Sequence, residues 1–237
     1  MYRAMISSAH GLQRISSLKS LHNHHSQTIF YWGGKTMSVA PEDKPQFHPL
    51  SSEWVLWEHL GGSKDPGDWK ENMKQVCSFS TAEDFWRYFN FVPKPSEVFY
   101  DGETRKTVGP NKIVEGYSLF KKGIEPEWDD PQNKCGGEFF CRHFMEGEAL
   151  NMYWQNLVLA VVGETMENEA SSSSAINGAR VVDKGKQHQA MFKLELWISS
   201  KDPSVKEKVR DRLMKIIADG CPTPKKGGHP RFDWKGH

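Results

Sequence analysis

The sequence is short of most features that would assign it quickly. It has no apolar run near the roughly 18 to 20 residues that cross a bilayer, so no membrane partner is expected. Its four cysteines, Cys77, Cys135, Cys141 and Cys221, are too few and too scattered for a disulfide scaffold or a zinc knuckle, and they read as reduced cytosolic thiols. Charge of one sign is missing too: 31 basic residues face 30 acidic ones, a formal net charge of +1. That excludes a polycation that coats nucleic acid and leaves any such contact to a local cluster. There is no Gly-rich phosphate loop ending in Lys-Ser/Thr, no His-Glu-x-x-His and no Gly-x-Ser-x-Gly. No internal repeat is visible. Neither a cofactor nor a metal is expected, and the chain does not read as an enzyme.

Acidic residues are absent before Glu42, while Arg3, Arg14, Lys19, Lys35, many Ser and the cluster His22, His24, His25 are present. Residues 1–46 therefore read as a disordered N-terminal extension. A mitochondrial presequence has the same composition, but apolar residues are sparse for an amphipathic helix.

From His48 the pattern becomes regular. Glu53–Leu60 and Val76–Ser80 read as strands. Ser80-Thr81-Ala82-Glu83 is a capping box opening a helix to about Asn90. Tyr117–Lys121 and Glu138–Phe144 read as aromatic-rich strands. Glu148–Gly163 carries a helical stripe of Leu150, Tyr153, Trp154, Leu157, Val158 and Val161. Ala179–Lys184 and Met191–Ile198 read as a hairpin. Asp202 caps a last helix with Pro203 at its first position and Gly220 at its end. The order implies one α+β domain over 47–237, with a largely antiparallel sheet and helices on one face. Within it, 91–116 reads as a long insertion loop and 165–178 as a flexible loop.

What the chain has in excess is tryptophan, nine in all. Trp54, Trp57 and Trp154 lie in periodic segments and read as core, whereas Trp69 and Trp128 lie in Gly-, Pro- and Asp-rich loops. An exposed indole usually stacks on something. A purine gains about 1–3 kcal/mol per base from such stacking, and a cationic base gains more through the ring quadrupole. A neighbouring carboxylate suits the donor edge of guanine, and hairpin lysines Lys184, Lys186 and Lys193 suit phosphates. The same residues equally fit loop indoles folded back on the sheet and a solvated lysine face. Trp32 and Trp234 have no assignment.

A set of short stretches carries a resemblance. These are His48-Pro49-Leu50, Trp54-Val55-Leu56-Trp57, Trp69, Glu83-Asp84-Phe85-Trp86, Tyr117-Ser118-Leu119-Phe120, Gly123-Ile124-Glu125-Pro126-Glu127-Trp128, Gly136-Gly137, Trp154, Gly163-Glu164 and Lys193 to Trp197. In order and spacing they resemble the eukaryotic translation initiation factor 4E family, which binds the mRNA 5′ cap. The resemblance implies a curved antiparallel sheet with three helices on its convex face and a cytoplasmic, non-enzymatic role in translation initiation.

It also implies roles. Trp69 and Trp128 would sandwich 7-methylguanine, and Trp197 would lie near the methyl group. Asp129, where the family usually has Glu, would take the guanine edge, with Asp130 as a possible helper. Lys184, Lys186 and Lys193 would meet the triphosphate of 7-methylguanosine triphosphate. Glu138 stands where familiar members carry a basic residue. His48, Pro49, Leu50 and Trp86, with Gln155 and Asn156 on the long helix, would receive an initiation factor 4G-like scaffold or a 4E-binding repressor. Helix spacing makes Phe85 and Phe89 the core pair and leaves Trp86 lateral or exposed. Gln155 and Asn156 replace an apolar residue and an acid, and the 91–116 connection is long. These departures suggest a divergent, kinetoplastid-like member. They keep open a cap-binding repressor or storage factor, and a protein-interaction scaffold that has lost cap binding.

Overall fold

Seven strands form one antiparallel sheet in the order β2-β1-β3-β5-β6-β4-β7. They are β1 (Pro49–Gly61), β2 (Met73–Thr81), β3 (Ile113–Lys121), β4 (Gly137–His143), β5 (Ile176–Asp183), β6 (Phe192–Ile198) and β7 (Asp233–Gly236). The helices are α1 (Ala82–Phe91), α2 (Pro95–Val98), α3 (Pro131–Lys134), α4 (Gly147–Val162) and α5 (Pro203–Ile217). The structure is a computed structural model, and it describes residues 47–61, 72–104, 106–107, 113–143, 147–166, 174–186, 188–223 and 228–237. The N-terminal extension 1–46, and Trp32 within it, lie outside the described residues.

Side chains alternate across each strand, and one set meets the helices. Leu56, Tyr117, Leu119, Phe139, Val181, Leu194 and Leu196 pack with Leu150, Tyr153, Leu157 and Val158 of α4 in one core. Burying each such side chain contributes about 1.5–3 kcal/mol. The helix ends follow local chemistry. Asp202 caps α5 by accepting from Ser204 N at 2.7 Å and Val205 N at 3.3 Å. At α1 the cap is one residue later than the sequence predicts: Thr81, not Ser80, accepts from Asp84 N at 3.2 Å. Glu83 does not reach back to the cap. It turns instead to His48, taking the His48 N–H at 3.0 Å and its ring Nδ1 at 2.6 Å. That clasp fixes the entry of β1 beside α1.

The long connection is more ordered than an insertion loop. Residues 95–98 form α2, and Ser96 N donates to Asn151 Oδ1 of α4 at 3.0 Å. Val98 and Phe99 are buried, and Tyr100 N donates to Asp183 at 2.9 Å. Of the expected loop 165–178, Ile176–Gly178 instead belong to β5. Gly178 is required there, because a β-carbon would collide with Leu119 O and the Phe120 ring. Like α2, α3 and β7 have no counterpart in the sequence reading. In β7, Trp234 packs edge-on against Phe139 at 4.9 Å with Lys206 Nζ 5.0 Å above it.

Candidate functional site

Among the described residues the other sheet face carries no helix core. Strand pairing sets its side chains in three rows. The first runs Val55, Phe120, Gly178, Trp197, Glu138, Lys235; the second Trp57, Ser118, Arg180, Glu195, Phe140; the third His59, Gly116, Val182, Lys193, Arg142. Trp57 thus stands on the face opposite Trp54, contrary to its assignment to the core.

The β3–β4 connection sits at the first-row end of this face. Gly123 takes a φ of +88°, which L side chains avoid. Buried Asn133 then ties the loop, its Nδ2 donating to Glu125 O at 2.9 Å and Glu127 O at 2.7 Å. Asn177 of β5 donates to Asn133 Oδ1 at 2.8 Å and to Gln132 O at 3.1 Å. Asp130 accepts from Glu125 N at 3.0 Å and Gln132 N at 2.8 Å. Its carboxylate is therefore committed to the loop, not available as the helper the sequence suggests. This knot holds Trp128 63% exposed. Asp129 beside it is exposed and makes no hydrogen bond among the described residues. Trp69 lies outside the described residues.

Trp197 is the reverse case, at 3% exposure. Its Nε1 donates to Glu195 Oε2 at 2.8 Å. Phe120 meets it edge-on at 5.5 Å, the His237 ring lies 4.4 Å away, and the Arg180 guanidinium sits 5.6 Å over the indole. Only a sliver of this ring reaches the open face.

The cations are distributed differently from the sequence expectation. Lys193 is 11% exposed and held by two buried carboxylates, Glu138 at 2.9 Å and Glu195. Burial opposes ionisation of Glu138, but hydrogen bonds from His237 and Lys193 and the charges of Lys193 and Lys235 outweigh it, holding the carboxyl down at about 2. The acid at position 138 is therefore half of a buried ion pair, and Lys193 is that pair's other half instead of a free phosphate contact. Lys184 and Lys186 are exposed at the β5–β6 hairpin. Partial desolvation, with Arg180, Lys193 and Arg142 near, lowers the Lys184 pKa. Burial, Arg180 and Lys184 push His59 down to about 3, so it stays neutral, 2.6 Å from Ser118 Oγ.

Arg180 was missed by sequence reasoning. Its signal was parity: Arg180 and Lys184 are four apart on one strand, hence on one face.

On the helix-bearing side, Trp86 is 6% exposed and packed on Phe85 at 4.8 Å and Phe89 at 6.2 Å. It is buried, not turned outward, and what remains open lines a cavity. That cavity, about 430 Å³, is bounded by α1, the Val92–Pro95 segment and α4, through Trp86, Phe89, Pro93, Met152 and Gln155. Phe91 stands next to it, 88% exposed. Asn156 points away: it is buried and donates to Ile217 O at 3.2 Å and Asp219 O at 2.8 Å, closing the end of α5. Gln155 is on the cavity and Asn156 is structural. Pro49 is exposed and Leu50 packs at the core's edge.

The Eukaryotic initiation factor 4E family profile matches residues 49–226. The eukaryotic translation initiation factor 4E of Candida albicans is 30% identical over 186 residues, 77% of this chain and 79% of that protein. Ascaris suum eIF4E-3, solved with m7G cap, superposes with a TM-score of 0.63 at 28% identity, over 81% of this chain and 92% of that one. C. elegans eIF4E-3, solved with the 4E-binding protein Mextli and a cap analog, gives a TM-score of 0.60 at 26% identity over 79% and 92%.

Proposed function

The chain belongs to the eukaryotic initiation factor 4E family, and from that premise we propose that it binds the 7-methylguanosine 5′ cap of mRNA on the open sheet face and recruits a translation partner on the helix-bearing side. The observation that carries the first part is Trp128, an indole held open on a hydrogen-bonded loop at the edge of a face lined by Trp197 and cations. Methylation at N7 makes guanine cationic, and a cation is drawn to indole faces. Trp69 supplies the second indole, and Asp129 the acceptor for the guanine edge. Its free carboxylate supports that role, although its side chain is one methylene shorter than Glu. The protein acts by binding, not by catalysis, and works in the cytoplasm, where capped messages are translated.

Tryptophan fluorescence tests the cap reading. Titration with 7-methylguanosine triphosphate should quench strongly and titration with GTP weakly. Trp128→Ala should weaken methylated-nucleotide binding by about 5- to 150-fold, as expected for losing about 1–3 kcal/mol of stacking. Equal responses to both nucleotides in the wild type would overturn it.

The apolar cavity and exposed Phe91 support the second part. They fit an amphipathic segment, from an initiation factor 4G-like scaffold or a 4E-binding repressor, laying apolar side chains between α1 and α4. Pulldown with Gln155→Arg and Phe91→Ser, both outside the buried core, should lose the partner while cap binding persists. Whether the partner captured assembles ribosomes or blocks them separates initiation from repression. Gln155 on the cavity favours keeping the repressor reading, since it leaves the groove floor more polar than an apolar residue would.

A further inference from the structure

We propose that Arg180 is a phosphate-binding residue of the open face, taking the phosphate nearest the nucleoside while Lys184 takes those further out. This rests on the cap-binding reading above.

A cap brings a polyphosphate chain, and the face must meet it with cations. Lys193 shares β6 with Trp197, but Glu138 and Glu195 already neutralise it. Arg180 differs. Among the described residues its only ion pair is to Glu195, at 3.5 Å, longer than the 2.7–2.9 Å typical of a charge-assisted hydrogen bond. Its Nε is buried and has no hydrogen-bond partner among the described residues. Trp57, in the same row, likewise has a buried Nε1 without a partner among the described residues. Buried donors without acceptors are rare in folded proteins and call for an explanation. Among the described residues the second row therefore has hydrogen-bond donors to spare.

Position agrees. The base would lie against Trp128 and the first row, which contains Trp197. Alternate residues of a strand are about 6.7 Å apart, so Arg180 stands one such step from that row toward the hairpin. Lys184 follows the last residue of β5, about 13 Å from Arg180 at the rise of a strand. A nucleotide whose base sits at the first row runs its phosphates over Arg180 and then toward Lys184. The guanidinium is held over the Trp197 ring, 5.6 Å from its centroid, and a planar fork fixed in advance loses little freedom on binding a phosphate. Glu195 accepts from Trp197 Nε1 and pairs with Lys193, so its charge is shared among three donors and does not cancel Arg180.

Affinities for 7-methylguanosine, its monophosphate and its triphosphate, measured on wild type, Arg180→Ala, Arg180→Lys and Lys184→Ala, decide the matter. Arg180→Ala should weaken monophosphate and triphosphate about tenfold and the nucleoside less than about twofold, the scale of one hydrogen bond to a charged group. Lys184→Ala should spare nucleoside and monophosphate and weaken the triphosphate alone. Arg180→Lys, which keeps the charge and loses the fork, should fall between. Equal losses for nucleoside and phosphates in Arg180→Ala would mean that Arg180 only props Trp197, and would overturn the proposal; so would no loss at all. Should Arg180→Ala fail to fold, Arg180→Lys decides by itself, through a lowered or unchanged monophosphate-to-nucleoside ratio. A wild type that binds GTP as well as the methylated nucleotide would instead bring down the cap reading beneath it.

Discussion

Trp128 and Trp197 serve one face of one sheet and are held by opposite means. The Trp128 loop is fixed by amides: Asn133 and Asn177 satisfy backbone carbonyls within a short stretch of chain, and the indole they present stays in water. Trp197 is fixed by charges and rings brought from three strands and from His237, and its indole is nearly lost to solvent. The loop builds a reader that can be removed without touching the fold. The sheet floor builds a surface that cannot be altered without disturbing what lies under it. The comparison predicts where mutations hurt stability and where they hurt only binding.

The largest effect should come from Trp197→Ala. Removing a fully packed aromatic side chain costs about 3–5 kcal/mol, and this one also leaves the Glu195 carboxylate without its indole donor. Denaturant unfolding should show that loss. A change under about 1 kcal/mol would mean that Trp197 is not part of the packed floor and would erase the contrast.

Asn133→Ala should come second. It strips donors from Glu125 O and Glu127 O and an acceptor from Asn177. Leaving buried polar groups unsatisfied costs about 1–3 kcal/mol. Trp128 should also become more accessible to a soluble quencher as its loop loosens. Unchanged quenching would show that the loop is held by something other than this knot.

What could be read from the sequence divides along the same line. The Trp128 loop was legible because its signals are local: Gly123, Pro126 and Asp130 within a few residues, around a Trp in no periodic pattern. The strands and long helices were legible because their periods are local too. The floor was not. Lys193 reads as a phosphate contact until β4 is laid beside β6 and Glu138 comes within 2.9 Å of it. Asn156 reads as a partner contact until the end of α5 arrives from 61 residues away to take its amide. Trp86 was assigned a lateral or exposed place from helix geometry, but the cavity wall formed by α4 and the Val92–Pro95 segment encloses it. β7 is only four residues long, too short for a period to show, and His237 reaches Trp197 only because β7 pairs with β4. Each miss is a contact between distant segments, which no local pattern encodes.

The floor should also answer to acid before the loop does. His59 is kept neutral, with its pKa near 3, by burial and by Arg180 and Lys184. Unfolded, it takes a proton near pH 6.5. The unfolded state therefore binds more protons between those values, and stability, complete above pH 6.5, falls as pH drops toward 3. Between pH 7 and 5 the loss should be on the order of 1–2 kcal/mol. Melting curves of wild type and His59→Gln at both pH values check this, the variant showing the smaller drop. Glu138, whose folded pKa is depressed to about 2, contributes a separate loss that begins only as pH falls through about 4.5. The two contributions are thus distinguishable by where they begin.

The smallest effect on stability should belong to the residue with the largest role in recognition. Trp128→Ala removes a side chain that is 63% exposed and whose loop is tied by its neighbours' amides, not by the indole. Surface substitutions of this kind stay within about 0.5 kcal/mol, so the unfolding midpoint should hardly move even as cap-dependent quenching disappears. A Trp128→Ala protein that melts more than a few degrees early would place the indole against the sheet, folded over the floor in the free protein. Binding would then have to lift it off first, and the affinity lost in the variant would mix stacking with that rearrangement. An unchanged midpoint beside lost binding would mean the indole waits in the open, with the loop's hydrogen bonds having already met the cost of holding it there.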